Sequence, residues 1–225
     1  SILNNLGTLC KGLGEIKNAT SYYKKVIQID PSNINANYNL GAICYDLKQL
    51  KEAKVFLEKT TKLQPNFALP YFVLGNLHVN LKEYENAISN FQEAITINYN
   101  LVSAHNNLGL VFRKLNDFKN AISCYEKAIE IKKDHVGAYH NLALAFKALG
   151  KFNEAKIFLN NTIKINNYFF AAHRTLSQIT KYTKSNHHFI ILKNLYKNVE
   201  IDNRQKGELA FALGKVFDDI NDFEN

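Results

Sequence analysis

Apolar residues recur along this chain at the three- and four-residue steps of a single helix face. That helical pattern itself recurs at one fixed period. Leu-Gly stands at Leu6-Gly7, Leu40-Gly41, Leu74-Gly75 and Leu108-Gly109, and Leu142-Ala143 continues the series. Thirteen residues after each leucine comes an alanine: Ala19, Ala53, Ala87, Ala121 and Ala155. A bulky apolar ladder follows at Tyr23, Leu57, Phe91, Tyr125 and Leu159, and a fourth at Ile29, Leu63, Ile97, Ile131 and Ile165. Pro31 and Pro65 close the first two periods, with Tyr99, Lys133 and Asn167 at the same place in the next three. The spacing predicts five helix–turn–helix units, at about 1–33, 34–67, 68–101, 102–135 and 136–169.

The packing follows from residue sizes. The small residue after each leucine lets two helices approach closely, and the ladder alanine is expected opposite that notch. One helix pair cannot bury its own apolar face, so neighbouring pairs must stack into a continuous core. The expected fold is all-α, a right-handed superhelical solenoid of stacked antiparallel helix pairs.

These residues resemble the tetratricopeptide repeat, a helix–turn–helix unit of about 34 residues, over about residues 1–169. The tryptophan often found in the first helix of that family is replaced by Leu3, Asn37, Tyr71, His105 and Tyr139. The closing proline is missing from three units.

Beyond residue 169 the pattern loosens. Residues 171–182 still read as a first helix, with Leu176 and Ser177 in the leucine and glycine places. Residues 170–206 are expected to form a divergent helix pair. Leu213-Gly214 then restores the motif, so 207–225 reads as the first helix and turn of a further, truncated unit. The run from Ala172 to Asp219 resembles the segment that closes the repeat array in bacterial proteins joining tetratricopeptide repeats to a sulfotransferase domain. No phosphosulfate-binding loop is present.

Composition adds less. Hydrophobic residues are 46% and charged residues 21%, values of a folded chain. The absence of methionine makes the chain read as a piece of a longer protein. No apolar run approaches the roughly 18 residues of a membrane span, and no secretory signal is recognisable, so a cytoplasmic location is expected. The net charge of +8 reflects 25 lysines against 3 arginines. They are scattered over both helices of each unit, which argues against nucleic-acid binding.

Candidate chemistry is sparse. Cys10, Cys44 and Cys124 make neither a disulfide framework nor a zinc spacing. The seven histidines share no metal-ligand spacing, and His105 and His173 fall at packed helix positions. Nucleotide, hydrolase and metalloprotease motifs are missing. No catalytic residue, metal or cofactor is therefore expected.

The first helices of such an array line its concave face, and their inward residues would meet a ligand as ladders. One ladder is Asn5, Asn39, Asn107 and Asn141, with Asn76 nearly filling the gap at Val73. Asparagine amides can give and take hydrogen bonds along a peptide backbone. The row resembles the asparagine ladder in the repeat arm of O-linked N-acetylglucosamine transferases. With 30 asparagines in the chain, composition alone also supplies such a row. Repeat domains that clamp the carboxyl terminus of heat-shock chaperones carry basic residues where this chain has Phe72, Gly137 and Asn141, so that clamp is broken. Near the end of each first helix stand Lys11, Tyr45, Val79, Arg113, Lys147 and Lys181, with Lys114 beside Arg113 and His140 before Lys147. Together with Tyr38 and Phe72 they make a groove running from aromatic to basic. A cation in the last turn of a helix also complements its dipole, so both readings stand here.

The expectation is a protein-interaction scaffold holding an extended peptide or partner segment, with an acidic stretch over the later units. The alternative is a substrate-recruiting arm of a sulfotransferase- or glycosyltransferase-type enzyme. End-to-end self-association through Phe217 and Phe223 is also expected.

Overall fold

A computed structural model describes residues 2–198 and 200–221; Phe223 lies outside the described residues. Helices are the only regular elements among them. They are α1 (Ile2–Gly12), α2 (Ile16–Ile29), α3 (Ile34–Asp46), α4 (Leu50–Leu63), α5 (Ala68–Asn80), α6 (Tyr84–Ile97), α7 (Val102–Lys114), α8 (Phe118–Ile131), α9 (Val136–Ala148), α10 (Phe152–Ile165), α11 (Phe170–Ile179), α12 (His187–Asn198) and α13 (Asn203–Asp219). Two compact units divide the chain, residues 1–111 and 112–225, with the boundary inside α7. In the first, α1 to α6 pack each on the next, and α3 also meets α5. In the second, α8, α9, α10 and α11 pack in succession, while α13 packs on both α11 and α12.

The turn inside each period has a backbone cause. Gly14, Lys48, Lys82, Asn116 and Gly150 each stand one period after the last, and all have positive φ, between 60° and 77°. Each turns the chain out of an odd-numbered helix. The following amide then reaches back to a carbonyl five residues earlier: Glu15 to Cys10 (2.8 Å), Gln49 to Cys44 (2.8 Å), Glu83 to His78 (2.9 Å), Asp117 to Phe112 (2.9 Å) and Lys151 to Phe146 (2.9 Å). This is the Schellman closure, which satisfies carbonyls that the helix end would leave bare. The three residues it leaves between helices force the pair to run antiparallel.

Packing follows the ladders, with one correction. All five ladder alanines are fully buried. The glycine notch, however, receives the bulky ladder and not the alanine. A Cβ on Gly7 would lie 2.7 Å from the Tyr23 ring, one on Gly41 2.9 Å from Leu57, and one on Gly75 2.6 Å from Phe91. The notch is shaped for a large side chain because that chain crosses the helix interface, where the small alanine cannot reach. The Ile29 ladder is fringe: Ile29 is 77% exposed. The buried contact one turn earlier is Val26, Thr60, Ala94, Ala128 and Thr162. Both threonines donate to the carbonyl four residues back, Phe56 and Phe158, at 2.8 Å, so their hydroxyls are satisfied inside the core.

After α10 the period breaks. Thr180 is extended (φ −109°, ψ 135°), so α11 stops after 10 residues where earlier odd helices from α3 run for 13. Tyr182 is buried instead, and its amide donates to Asp219 Oδ2 at 3.0 Å. That bond joins the shortened end of α11 to the end of α13. The second core gathers here, around Phe170, Tyr182, Phe189, Leu192, Leu209 and Val216. Phe217 packs against it half-buried, edge-on to Phe189. A Cβ on Gly214 would touch nothing, so this copy of the notch stands open.

Candidate peptide-binding face

The odd-numbered helices carry every groove residue expected from the sequence except Lys181, which is exposed just after α11. Their acid content is unusual. Of the chain's 20 Asp and Glu, α1, α3, α5, α7, α9 and α11 hold one, Asp46 at the end of α3. They hold the cations Lys11, Arg113, Lys114, Lys147 and Arg174.

In the first unit this face is rich in amides bonded to neighbouring side chains. Lys11 Nζ donates to Asn39 Oδ1 at 3.2 Å. Asn106 Nδ2 donates to Asn107 Oδ1 (3.1 Å), and Asn107 Nδ2 to Asn76 Oδ1 (2.8 Å). Asn80 Nδ2 donates to the Tyr45 hydroxyl at 3.1 Å. Three of these bonds step from one period to the next, so the structure brings Asn39 to Lys11 and Asn76 to Asn107. Asn5 stands exposed on α1. The aromatics are partly committed to packing: Tyr38 is edge-on to Phe67, and Phe72 is tilted against the core ring of Phe91. Burial pushes the Tyr38 phenol up, with Asp46 adding to it, so this ring stays neutral.

In the second unit the face is basic. Lys147 Nζ donates to Gln178 Oε1 on α11. Burial, and then the neighbouring Arg174 charge, pull the Lys147 ammonium down from the usual lysine range. His140 lies edge-on to Phe169, 3.5 Å from Thr175 Oγ1, with a hydrogen bond to the Ala171 backbone. Burial lowers its pKa to about 4, and the Arg113 guanidinium adds to that, so His140 is neutral at physiological pH. Arg113 itself is half-buried beside the Tyr125 hydroxyl, and its Nε is buried without a hydrogen-bond partner. Lys114 points into solvent. Asn141 is half-buried on α9.

These contacts bear on the dipole alternative. Lys11 and Lys147 sit in last turns, where a cation complements the helix dipole. Both ammonium groups nevertheless reach to the next odd-numbered helix.

Two features escaped the sequence. Arg174 stands one full period after His140 and belongs to the same ladder, but α11 lies where the leucine–glycine signal has faded. The other is a chain of hydrogen bonds behind the face. The Tyr182 hydroxyl lies 2.6 Å from His188 Nδ1, His188 Nε2 lies 2.9 Å from His173 Nδ1, and His173 Nε2 lies 2.9 Å from the Asn167 carbonyl. The carbonyl can only accept, so the protons run one way, from Tyr182 through His188 and His173 to Asn167. Burial drives His188 down to about 3 and lowers His173, keeping both rings neutral. Burial raises the Cys124 thiol to about 11 and raises Cys44 as well. Among the described residues no helix is long and apolar enough to cross a membrane.

Comparison with known proteins agrees with this architecture. Tetratricopeptide-repeat models match residues 12–71, 102–135 and 124–157, and a further repeat model of that family matches 75–115. Curated protein sequences give no match. Among solved structures, a MamA protein is 30% identical, with 74% of this chain and 91% of that chain covered and a TM-score of 0.66. YrrB, described as a TPR protein with an unusual peptide-binding site, is 22% identical, with 77% and 89% covered and a TM-score of 0.66. PilF of Pseudomonas aeruginosa is 19% identical, with 93% and 95% covered and a TM-score of 0.73. The period, the packed helix pairs, the family models and the MamA likeness converge: the chain belongs to the tetratricopeptide-repeat family.

Proposed function

We propose that the odd-numbered helices of each unit present a scaffold face for an extended protein segment, and that those of the second unit take an acidic stretch. The observation that carries this reading is the charge segregation: one acid on six helices, against five cations, in a chain that has 20 acids to place. Solvation alone would mix the signs, as it does on α4, α8 and α10. A field of one sign attracts the opposite one and steers its approach. The amides of Asn39, Asn76 and Asn107 suit a peptide backbone, since each can donate and accept. The bond of Asn107 to Asn76, and that of Lys11 to Asn39, keep these amides satisfied until a peptide replaces them. A peptide-binding site in YrrB, of similar fold, supports the same reading. The face would serve equally as the recruiting arm of a larger enzyme.

A displayed library of random twelve-residue peptides, selected on the immobilised chain, tests this. Enrichment of Asp and Glu in sequences without helical amphipathicity is expected. Enrichment of basic or amphipathic-helical sequences would overturn the reading.

A further inference from the structure

Glu208 on α13 extends a ladder of the face. It stands one full period after Arg174, which itself stands one full period after His140. Where the odd helices from α5 to α11 have no acid, this next one places a carboxylate against Arg174. The pair is loosely made. Both Glu208 oxygens share one guanidinium nitrogen, Nη1, at 3.4 and 3.3 Å, longer than the ~2.7–2.9 Å of a tight charge-assisted bond. The two-nitrogen fork that arginine offers a carboxylate is not formed, and Arg174 Nε is buried without a partner. The guanidinium is nonetheless held in place, 4.6 Å over the Phe211 ring. Lys147 approaches the same patch, because its partner Gln178 lies one helical turn after Arg174 on the same face of α11. Glu208 thus serves Arg174 poorly, and Lys147 beside it meets the neutral amide of Gln178.

We propose that Glu208 is an internal stand-in for the partner's carboxylate, occupying the seat that Arg174 and Lys147 offer to an aspartate or glutamate of the bound segment. A partner carboxylate that makes the fork displaces Glu208 and gains the bond Glu208 leaves unmade. Until then Glu208 competes, so the seat discriminates against weakly acidic or neutral segments. This inference rests on the scaffold reading above and adds the residue that sets its threshold.

The test uses the whole chain and two fluorescein-labelled probes, an octaglutamate and an octaglutamine peptide, titrated by anisotropy at low salt. Glu208→Gln should bind octaglutamate about threefold tighter, the scale of one partly exposed ion pair, with octaglutamine unchanged. Adding Arg174→Gln to Glu208→Gln should abolish that gain, while Arg174→Lys, which keeps the charge, should preserve part of it. Thermal unfolding of each variant reports whether the fold is retained. If Glu208→Gln lowers the melting temperature and leaves octaglutamate binding unchanged or weaker, Glu208 only docks α13 on α11 and the inference fails while the scaffold reading stands. Absence of octaglutamate binding by both wild type and Glu208→Gln would overturn both.

Discussion

His173 donates through Nε2 to the carbonyl of Asn167, six residues earlier, at 2.9 Å. His105 makes the same bond to Tyr99 (2.8 Å), and Asn37 makes it to Pro31 (3.0 Å). The three donors share the first-helix position where the family often has tryptophan, and their acceptors share the position that closes the preceding period. Different side chains therefore do one job: they tie α3, α7 and α11 each to the turn before it.

Replacing His105 with leucine should test this tie. The volume stays similar but the donor is lost, so we expect a cost of about 1–2 kcal/mol, read from the urea midpoint. His105→Asn, which can donate as Asn37 does, should cost less. Equal losses in the two variants would show that the hydrogen bond is not what the position requires.

The buried imidazoles fix the pH response. His140, at about 4, His188, at about 3, and the lowered His173 are all neutral in the folded chain. Unfolded, each binds a proton near pH 6.5. The unfolded state therefore takes up more protons as pH falls below 6.5, and stability must drop from there toward pH 4. The loss by pH 5 is up to about 2 kcal/mol for each histidine. Denaturation midpoints at pH 7.5 and 5.0 measure it, and His188→Gln should flatten the dependence. A midpoint independent of pH over this range would contradict the neutral assignment.

The periodic turn predicts a gain. Lys48 and Lys82 hold φ of 63° and 61°, a conformation that costs a side-chain-bearing residue about 1 kcal/mol. Lys82→Gly should raise stability by about 0.5–1 kcal/mol. Gly150→Ala, at φ 72°, should lower it by a similar amount. Calorimetric melting of the two variants should move in opposite directions.

Packing predicts a loss. Ala87 is fully buried, and Phe91 one turn later already fills the Gly75 notch. Ala87→Leu should overpack this interface by about 1–3 kcal/mol. A variant melting no lower than the parent would place the ladder alanine outside the helix contact.

How much of this was legible in the sequence depended on whether a position's chemistry matched its burial. The leucine, alanine and bulky ladders were readable because apolar residues recur there at one period. The buried ladder of Val26, Thr60, Ala94, Ala128 and Thr162 was not, since two of its members are threonines whose polarity is cancelled only by a bond to their own helix. The left-handed turn was hidden for a similar reason, with lysine or asparagine in three of its five copies. On the candidate face, the asparagine and lysine ladders were visible, but their pairing was not: Lys11 meeting Asn39, or Asn107 meeting Asn76, depends on rotamers that spacing does not specify. The early end of α11 removed Lys181 from its ladder, because the buried Tyr182 draws the chain out of the helix toward Asp219.

The most direct test of the central claim, a basic face that holds an acidic segment, is the salt dependence of binding. Anisotropy titrations of an acidic peptide from the selected library, at ~50 and ~300 mM salt, compare the parent chain with Lys147→Ala. Exposed charges are screened within about 8 Å at physiological ionic strength. Affinity should therefore fall severalfold with salt for the parent, and both the affinity and its salt dependence should be smaller in Lys147→Ala. Affinity indifferent to salt and to the loss of Lys147 would contradict the account.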